Sequence, residues 1–198
     1  MGVVNSITKQ EIKSSIPELI DAASEMRIMA LSAIYAAKSG HPGGSFSSMD
    51  IMSALYLYKM RHDPHNPDWN ERDRFFLSKA HVVPALYAAL VKTGYWKMED
   101  FINLRKIGSP FQGHSDRIKC RGIEMSGGSL GQGLGIAIGS ALSAIISNQS
   151  YRVYCLTGDG ELQEGSIWES AMSAGHYKLN NLCAIIDKNG LQIDGKVR

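Results

Sequence analysis

Asp159 stands between two glycines, and Asn189 follows it thirty residues later; each lies just past an apolar run. Those runs, Tyr151–Leu156 and Leu182–Ile186, read as buried strands, and residues 163–178 between them read as a helix. Strand, turn, helix and strand make a βαβ unit with parallel strands. Adjacent parallel strands lie about 5 Å apart, so their carboxyl ends can present Asp159 and Asn189 to one ligand. Open α/β sheets bind ligands at that end. Gly158 and Gly160 leave backbone N–H groups bare enough to approach an anion. A carboxylate beside such a cradle repels the anion unless a cation sits between them. Mg²⁺ is suited to that place, since it takes about six oxygens at about 2 Å. Asp159, the Asn189 amide oxygen, a carbonyl from the Asn-Gly-Leu turn, two phosphate oxygens and a water would complete the shell. For Gly-Asp-Gly alone, a plain βα turn with an Asp cap is the simpler reading. The following helix, apolar strand and DKNG at this distance weigh against it.

The rest of the chain must position this unit. Residues 18–38 carry Ile20, Ala23, Met26, Leu31 and Ile34 at helical spacing, with Pro17 at the start and Gly40 as the stop. SGHPGGS reads as a turn and residues 48–60 as a second helix. After a Pro/Asn/Asp-rich loop, RFFLS reads as a strand. Pro84 opens a helix to about Thr93, with Gly94 as its stop, and residues 97–107 read as helical. Residues 130–147 form a small-residue helix in which Gly131, Gly133, Gly135 and Gly139 would admit another backbone. The expected fold is α/β, a mainly parallel doubly wound sheet flanked by helices, in one domain over 1–198. Such a sheet normally continues with further helix–strand units, so truncation at the C-terminus stays open.

Composition narrows the function classes. With 44% hydrophobic and 20% charged residues, the 198-residue chain is long enough to bury a core. A net charge of +2, with no Lys/Arg block, gives no reason to expect nucleic acid. No run is long enough to span a bilayer, and MGVVNSITKQEIKSS has no apolar signal core. A soluble cytoplasmic protein is expected. Cys120, Cys155 and Cys183 cannot all pair, and none has metal spacing; Cys155 and Cys183 are expected to be buried free thiols. No two of the six histidines have zinc-ligand spacing such as HxxxH.

GDGELQEG and NNLCAIIDKNGLQIDG together resemble the thiamine diphosphate signature of the transketolase family, and most of all its forms split into two chains. KSGHPGG, DRFFLSKAH, FQGHSD and GGSLGQG appear in the family's order, so the resemblance runs from about residue 25 to 195. It implies the thiamine diphosphate-binding fold of the diphosphate-binding type. It also implies Mg²⁺, held by Asp159, Asn189 and the Leu191 carbonyl, with the Gly160 N–H and Asn189 also meeting the diphosphate. Gly128, Ser129 and Leu130 match the stretch lining the cofactor's pyrimidine ring and bridge. His81 matches a contact to the diphosphate. His41 and His114 resemble the pair that holds sugar hydroxyls and helps move protons, and Glu164 matches an interface glutamate that couples two active sites. For Glu164, a first-turn helix glutamate is the competing reading. His62, His65 and His176 match nothing and are expected in loops or at the surface.

The implied activity is transfer of a two-carbon ketol unit between sugar phosphates, a step of the pentose phosphate pathway. The family's cofactor-activating glutamate and most of its phosphate grip lie in a second, pyrimidine-binding domain. A C-terminal partner subunit is therefore expected, in a homodimer or heterotetramer, and the chain by itself should be inactive. Related readings are half of a deoxyxylulose-phosphate-type synthase, or a non-catalytic homologue acting as an interaction module. Some positions depart from the pattern: Ala80 replaces a glycine beside His81, Val82 and Val83 replace smaller residues, Ser115 a proline and Gly127 a threonine. If the backbone at 80 were left-handed, Ala80 would strain it by about 1 kcal/mol.

Overall fold

The computed structural model describes residues 14–192 and 195–197. Residues 1–13, most of the stretch lacking a signal core, lie outside the described residues, as does Asp194 of the QIDG segment. Three parallel strands form the centre: β1 (Arg74–Leu77), β2 (Val153–Gly158) and β3 (Leu182–Asp187), in the order β1-β2-β3. The register pairs Leu77 with Leu156 and Gly158 with Asp187, so the three carboxyl ends share one edge.

Side-chain alternation assigns the two faces. Phe75, Leu77, Tyr154 and Leu156 join one core, with helices α1 (Ile16–Ala37), α3 (Met49–Ala54) and α4 (Val83–Lys92). Phe76, Val153 and Cys155 join the other, beneath α6 (Gly133–Ile146) and Ile167 of α7 (Gly165–His176). Helices thus cover both faces of a parallel sheet, as expected. Among the described residues no helix is long and apolar enough to cross a membrane.

The expected elements are present, with local differences. At the start of helix α1 the Ser15 N–H and Oγ both donate to Glu18 Oε2, at 2.6 and 2.9 Å, which holds that exposed carboxyl below its usual range. It buries Ala22, Ala23, Met26, Ala30, Ala33 and Ile34, while Ile20 and Leu31 face outward. The small face is selected because α1 packs closely on α4, where Ala85, Ala88 and Ala89 are fully buried. The helix ends at left-handed Lys38 rather than at Gly40, where a Cβ would lie 2.8 Å from Ile34 Cγ1.

SGHPGGS is not a turn throughout. Pro42 starts a short helix, α2 (Pro42–Ser47), which leads into α3 and then one π-helical turn, Leu55–Lys59. Of residues 97–107 only Met98–Phe101 (α5) is helical. Strand β3 is less covered than its composition implies: Leu182 and Ile185 pack inward, but Ala184 and Ile186 are exposed. Cys183 is therefore an exposed thiol, correcting the expectation of burial, whereas Cys155 is fully buried and its thiol is pushed up by burial. After β3 the chain pairs β4 (Leu191–Gln192) antiparallel with β5 (Gly195–Lys196).

Candidate functional site

The carboxyl edge of the sheet gathers the residues that the sequence singles out. Strand β2 ends at Gly158, and Asp159–Gln163 form a 3-10 turn. Asp159 is nearly buried, and its Oδ2 accepts the Gly190 N–H at 2.8 Å. The Asn189 Oδ1 accepts the Leu191 N–H at 2.9 Å, forming the turn that follows β3. Gly160 packs close to this turn: a Cβ there would lie 3.2 Å from Gln192 Oε1. The thirty-residue separation is thus closed by direct contact. Asn189 and Leu191 remain exposed, so the turn is open to a ligand.

The donors suit a hard cation. Asp159 offers a carboxylate, Asn189 an amide oxygen and Leu191 a backbone carbonyl, a set that needs ligand oxygens to complete an octahedron. No group of three His, Cys, Asp or Glu that could hold a metal occurs among the described residues. These residues could hold Mg²⁺.

Three histidines close around the neighbouring surface. His41 caps the N-terminus of α2, and His81 sits in the 3-10 turn Ala80–Val82 after β1. Their rings meet edge to face with centroids 5.2 Å apart. Burial, then the charges of His41, Lys79 and His114, push the His81 imidazole down to about 4. His81 is therefore neutral near pH 7, with one nitrogen to donate and one to accept. His114 is held by its loop: Phe111 packs against Tyr87 at 4.9 Å between ring centroids, and Tyr87 Oη donates to the Gln112 carbonyl at 3.1 Å. Gly128 lies beside the His114 ring, at 3.8 Å from Cγ for a Cβ placed there. Ser129 and Leu130 are exposed next to it. Glu164 is exposed at the N-cap of α7, against Gly131, whose φ is +80°.

The small-residue helix behaves as expected at one glycine in particular. A Cβ on Gly133 would lie 2.6 Å from Ser78 Cα, so α6 rests on the backbone at the end of β1. Gly139 faces open space. The remaining histidines are not all superficial: His62 is half-buried, packs on Tyr56 and Tyr95, and bonds through Nε2 to the Tyr56 carbonyl at 2.6 Å. His65 and His176 are exposed.

The departures from the family motif meet one another. A Cβ on Gly127 would lie 3.1 Å from Ala80 Cβ and 3.2 Å from Ser115 Oγ, so the lost side chain at 127 accommodates the gained one at 80. Ala80 has no left-handed backbone, and the strain anticipated there is absent. Val82 is accommodated by Gly44, whose added Cβ would lie 2.6 Å from Val82 Cγ1.

Two buried groups are not singled out by the sequence. Lys79 and Asp187 form an ion pair with side-chain exposures of 3% and 8%. Lys79 Nζ also donates to the Gly44 carbonyl at 3.3 Å, and Asp187 accepts from Ser47 Oγ at 2.6 Å and Ser48 Oγ at 3.3 Å. The pair ties the helix behind His41, the strand end before His81 and the strand end before Asn189. Its members lie 108 residues apart, and no local spacing reveals them. The other is Glu161, 2% exposed, inside the 3-10 turn after β2.

Comparison with known proteins shows the family to which the chain belongs. The family model of the transketolase thiamine diphosphate binding domain matches residues 20–198. The chain is 44% identical over 178 residues to the 6-deoxy-6-sulfo-D-fructose transketolase subunit of Clostridium sp. (strain MSTE9), covering 90% of this chain and 65% of that protein. It is 46% identical over 162 residues to an apulose-4-phosphate transketolase subunit of Phocaeicola vulgatus, covering 82% and 57%. It superposes on the transketolase of Campylobacter jejuni with a TM-score of 0.88 at 37% identity, over 92% of this chain and 30% of that one. The chain thus spans under two thirds of each of these relatives. Sequence, fold and the gathered edge of the sheet lead to one conclusion: this chain belongs to the transketolase family, as its thiamine diphosphate binding domain.

Proposed function

We propose that this chain binds Mg²⁺ and the diphosphate of thiamine diphosphate, and serves a transketolase that moves a two-carbon ketol unit between sugar phosphates. The observation that carries the reading is the meeting of Asp159 with the Asn189 turn, at the edge of the sheet where the strands' carboxyl ends lie. When bound, the cofactor supplies the carbon nucleophile and electron sink for breaking and remaking a carbon–carbon bond next to a carbonyl. Asp159, Asn189 and the Leu191 carbonyl hold the metal, and the Gly160 N–H donates to the diphosphate. His81, neutral and half-buried, donates a hydrogen bond to a diphosphate oxygen. His41 and His114, both exposed at the mouth, hold sugar hydroxyls and exchange protons with them. Gly128, Ser129 and Leu130 line the pyrimidine side.

A second protein surface completes the site. The relatives named as subunits support a division between two chains. An outward apolar surface supports it too: α6 and α7 pack on each other and leave Ile136, Trp168 and Met172 exposed. A pyrimidine-binding partner covers that face and supplies the activating glutamate, whose general-base help is worth about 10²–10⁴-fold. A coupled ketol-transfer assay on the purified chain, alone and with a pyrimidine-domain partner, tests this. Activity is expected only with the partner. Robust activity from the chain alone, with no partner detected by mass spectrometry, would refute it.

A further inference from the structure

Glu161 is a buried carboxylate whose hydrogen bonds reach three separate segments. Its Oε1 accepts the Ser78 hydroxyl at 2.7 Å and the Gly131 N–H at 2.8 Å. Its Oε2 accepts the Gly158 N–H at 2.8 Å. Ser78 ends the β1 segment that continues into Lys79 and His81, Gly158 precedes Asp159, and Gly131 ends the loop of Gly128, Ser129 and Leu130. The Gly131 peptide is fixed from its other side as well, because Ser166 Oγ donates to its carbonyl at 3.0 Å. With φ at +80° and a Cβ position only 2.7 Å from Glu164 Cβ, residue 131 has no room for a side chain. All three donors are neutral, and no cationic side chain pairs with Glu161 among the described residues. Three donors saturate most of what a carboxylate needs, and removing it would strand the buried Gly131 N–H and the partly buried Gly158 N–H.

The bonds divide by what they join. Asp159 and the Asn189 turn are held together by the Asp159–Gly190 bond, without the Glu161 side chain. The bond to Gly158 is local to one turn. Only Oε1 reaches across to the Ser78 and Gly131 segments. We infer that Glu161 is a positioning residue that sets the register between the metal–diphosphate end of the cofactor cradle and the loop lining its ring end. This rests on the thiamine diphosphate reading above. It adds a consequence that reading lacks: a ligand touching both ends depends on Glu161, and a ligand touching only the diphosphate end does not.

Isothermal titration of the full chain in Mg²⁺, with thiamine diphosphate and separately with inorganic pyrophosphate, tests this. Glu161→Met keeps the length and apolar bulk but removes both acceptors. It should weaken thiamine diphosphate by tenfold or more and pyrophosphate by less than threefold. Glu161→Gln can keep Oε1 toward Ser78 and Gly131 while losing only Gly158, so it should recover affinity to within about threefold of wild type. A merely structural role would lower the melting temperature and weaken both ligands in parallel, overturning the inference. So would Glu161→Gln losing as much as Glu161→Met. If Glu161→Met does not fold, Ser78→Ala removes one Oε1 donor, and the same selective loss, about threefold, is expected there. An equal effect on both ligands, or none, would overturn the inference. A wild-type chain that binds neither ligand would overturn the cofactor reading, and this inference with it. Wild-type binding that every variant retains would overturn the inference alone.

Discussion

Lys79→Met should be among the most damaging single changes outside the metal ligands. It removes the cation from a pair whose two side chains are 3% and 8% exposed, leaving Asp187 with only the Ser47 and Ser48 hydroxyls. Breaking a buried pair in this way costs about 3–5 kcal/mol, because one charge stays buried without its partner. The effect depends on pH. In the wild type, burial raises the Asp187 carboxyl, but Lys79 and the two serines outweigh it and hold the group below its usual value of 3.8. The stabilisation is therefore present above that value and lost only as pH falls through the lower folded-state value. Without Lys79, burial is no longer outweighed and the carboxyl moves up, so the variant is rescued by protonation. Urea unfolding at pH 7 and pH 5 should show the cost shrinking on acidification. Asp187→Asn in the Lys79→Met background should restore about 2 kcal/mol at pH 7, since it removes the unpaired buried charge while its amide oxygen can still accept from the serines. A loss below about 1 kcal/mol for Lys79→Met, or no recovery in the double variant, would refute the reasoning.

Three further outcomes are expected. His81 is pushed from 6.5 to about 4, so the unfolded chain binds a proton there that the folded chain does not; stability should fall as pH drops from about 6.5 toward 4, and His81→Asn should flatten that decline in a pH series of urea melts. In the assembled enzyme, His41→Ala should lower turnover more than thiamine diphosphate affinity, and His81→Ala the reverse; equal cofactor loss with normal turnover at saturation in both would contradict the division of roles. Gly133→Ala should destabilise by about 1–3 kcal/mol because its Cβ would press on the Ser78 backbone, whereas Gly139→Ala, facing open space, should stabilise by about 0.5–1 kcal/mol, both read by thermal melts.

What can be read from the sequence follows physical range. Asp159 and Asn189 are legible because each closes an apolar strand and the intervening helix fixes the strands as parallel neighbours, a constraint written in about thirty consecutive residues. The face of α1 is not, because hydrophobicity favours Ile20 and Leu31, while close packing on α4 favours Ala22, Ala30 and Ala33. Burial of Cys183 follows from an apolar strand composition, but composition does not tell how much of β3 the described residues cover. SGHPGGS carries turn-forming residues, yet Pro at a first helical position also starts a helix, and both α2 and the His41 cap come from that choice. Lys79 with Asp187, and Glu161 with Ser78 and Gly131, join segments at least thirty residues apart, so only the folded chain brings them together.

Titration calorimetry of thiamine diphosphate, with Mg²⁺ and after thorough chelation, tests the central claim most directly. The diphosphate is strongly anionic, and if it binds beside the Asp159 carboxylate as proposed, a divalent cation must reconcile the two. Binding is expected with Mg²⁺ and not without it, and Asp159→Ala should abolish that metal dependence. Equal affinity in the presence and absence of the metal would contradict the assignment of Asp159, Asn189 and Leu191 to a cation site.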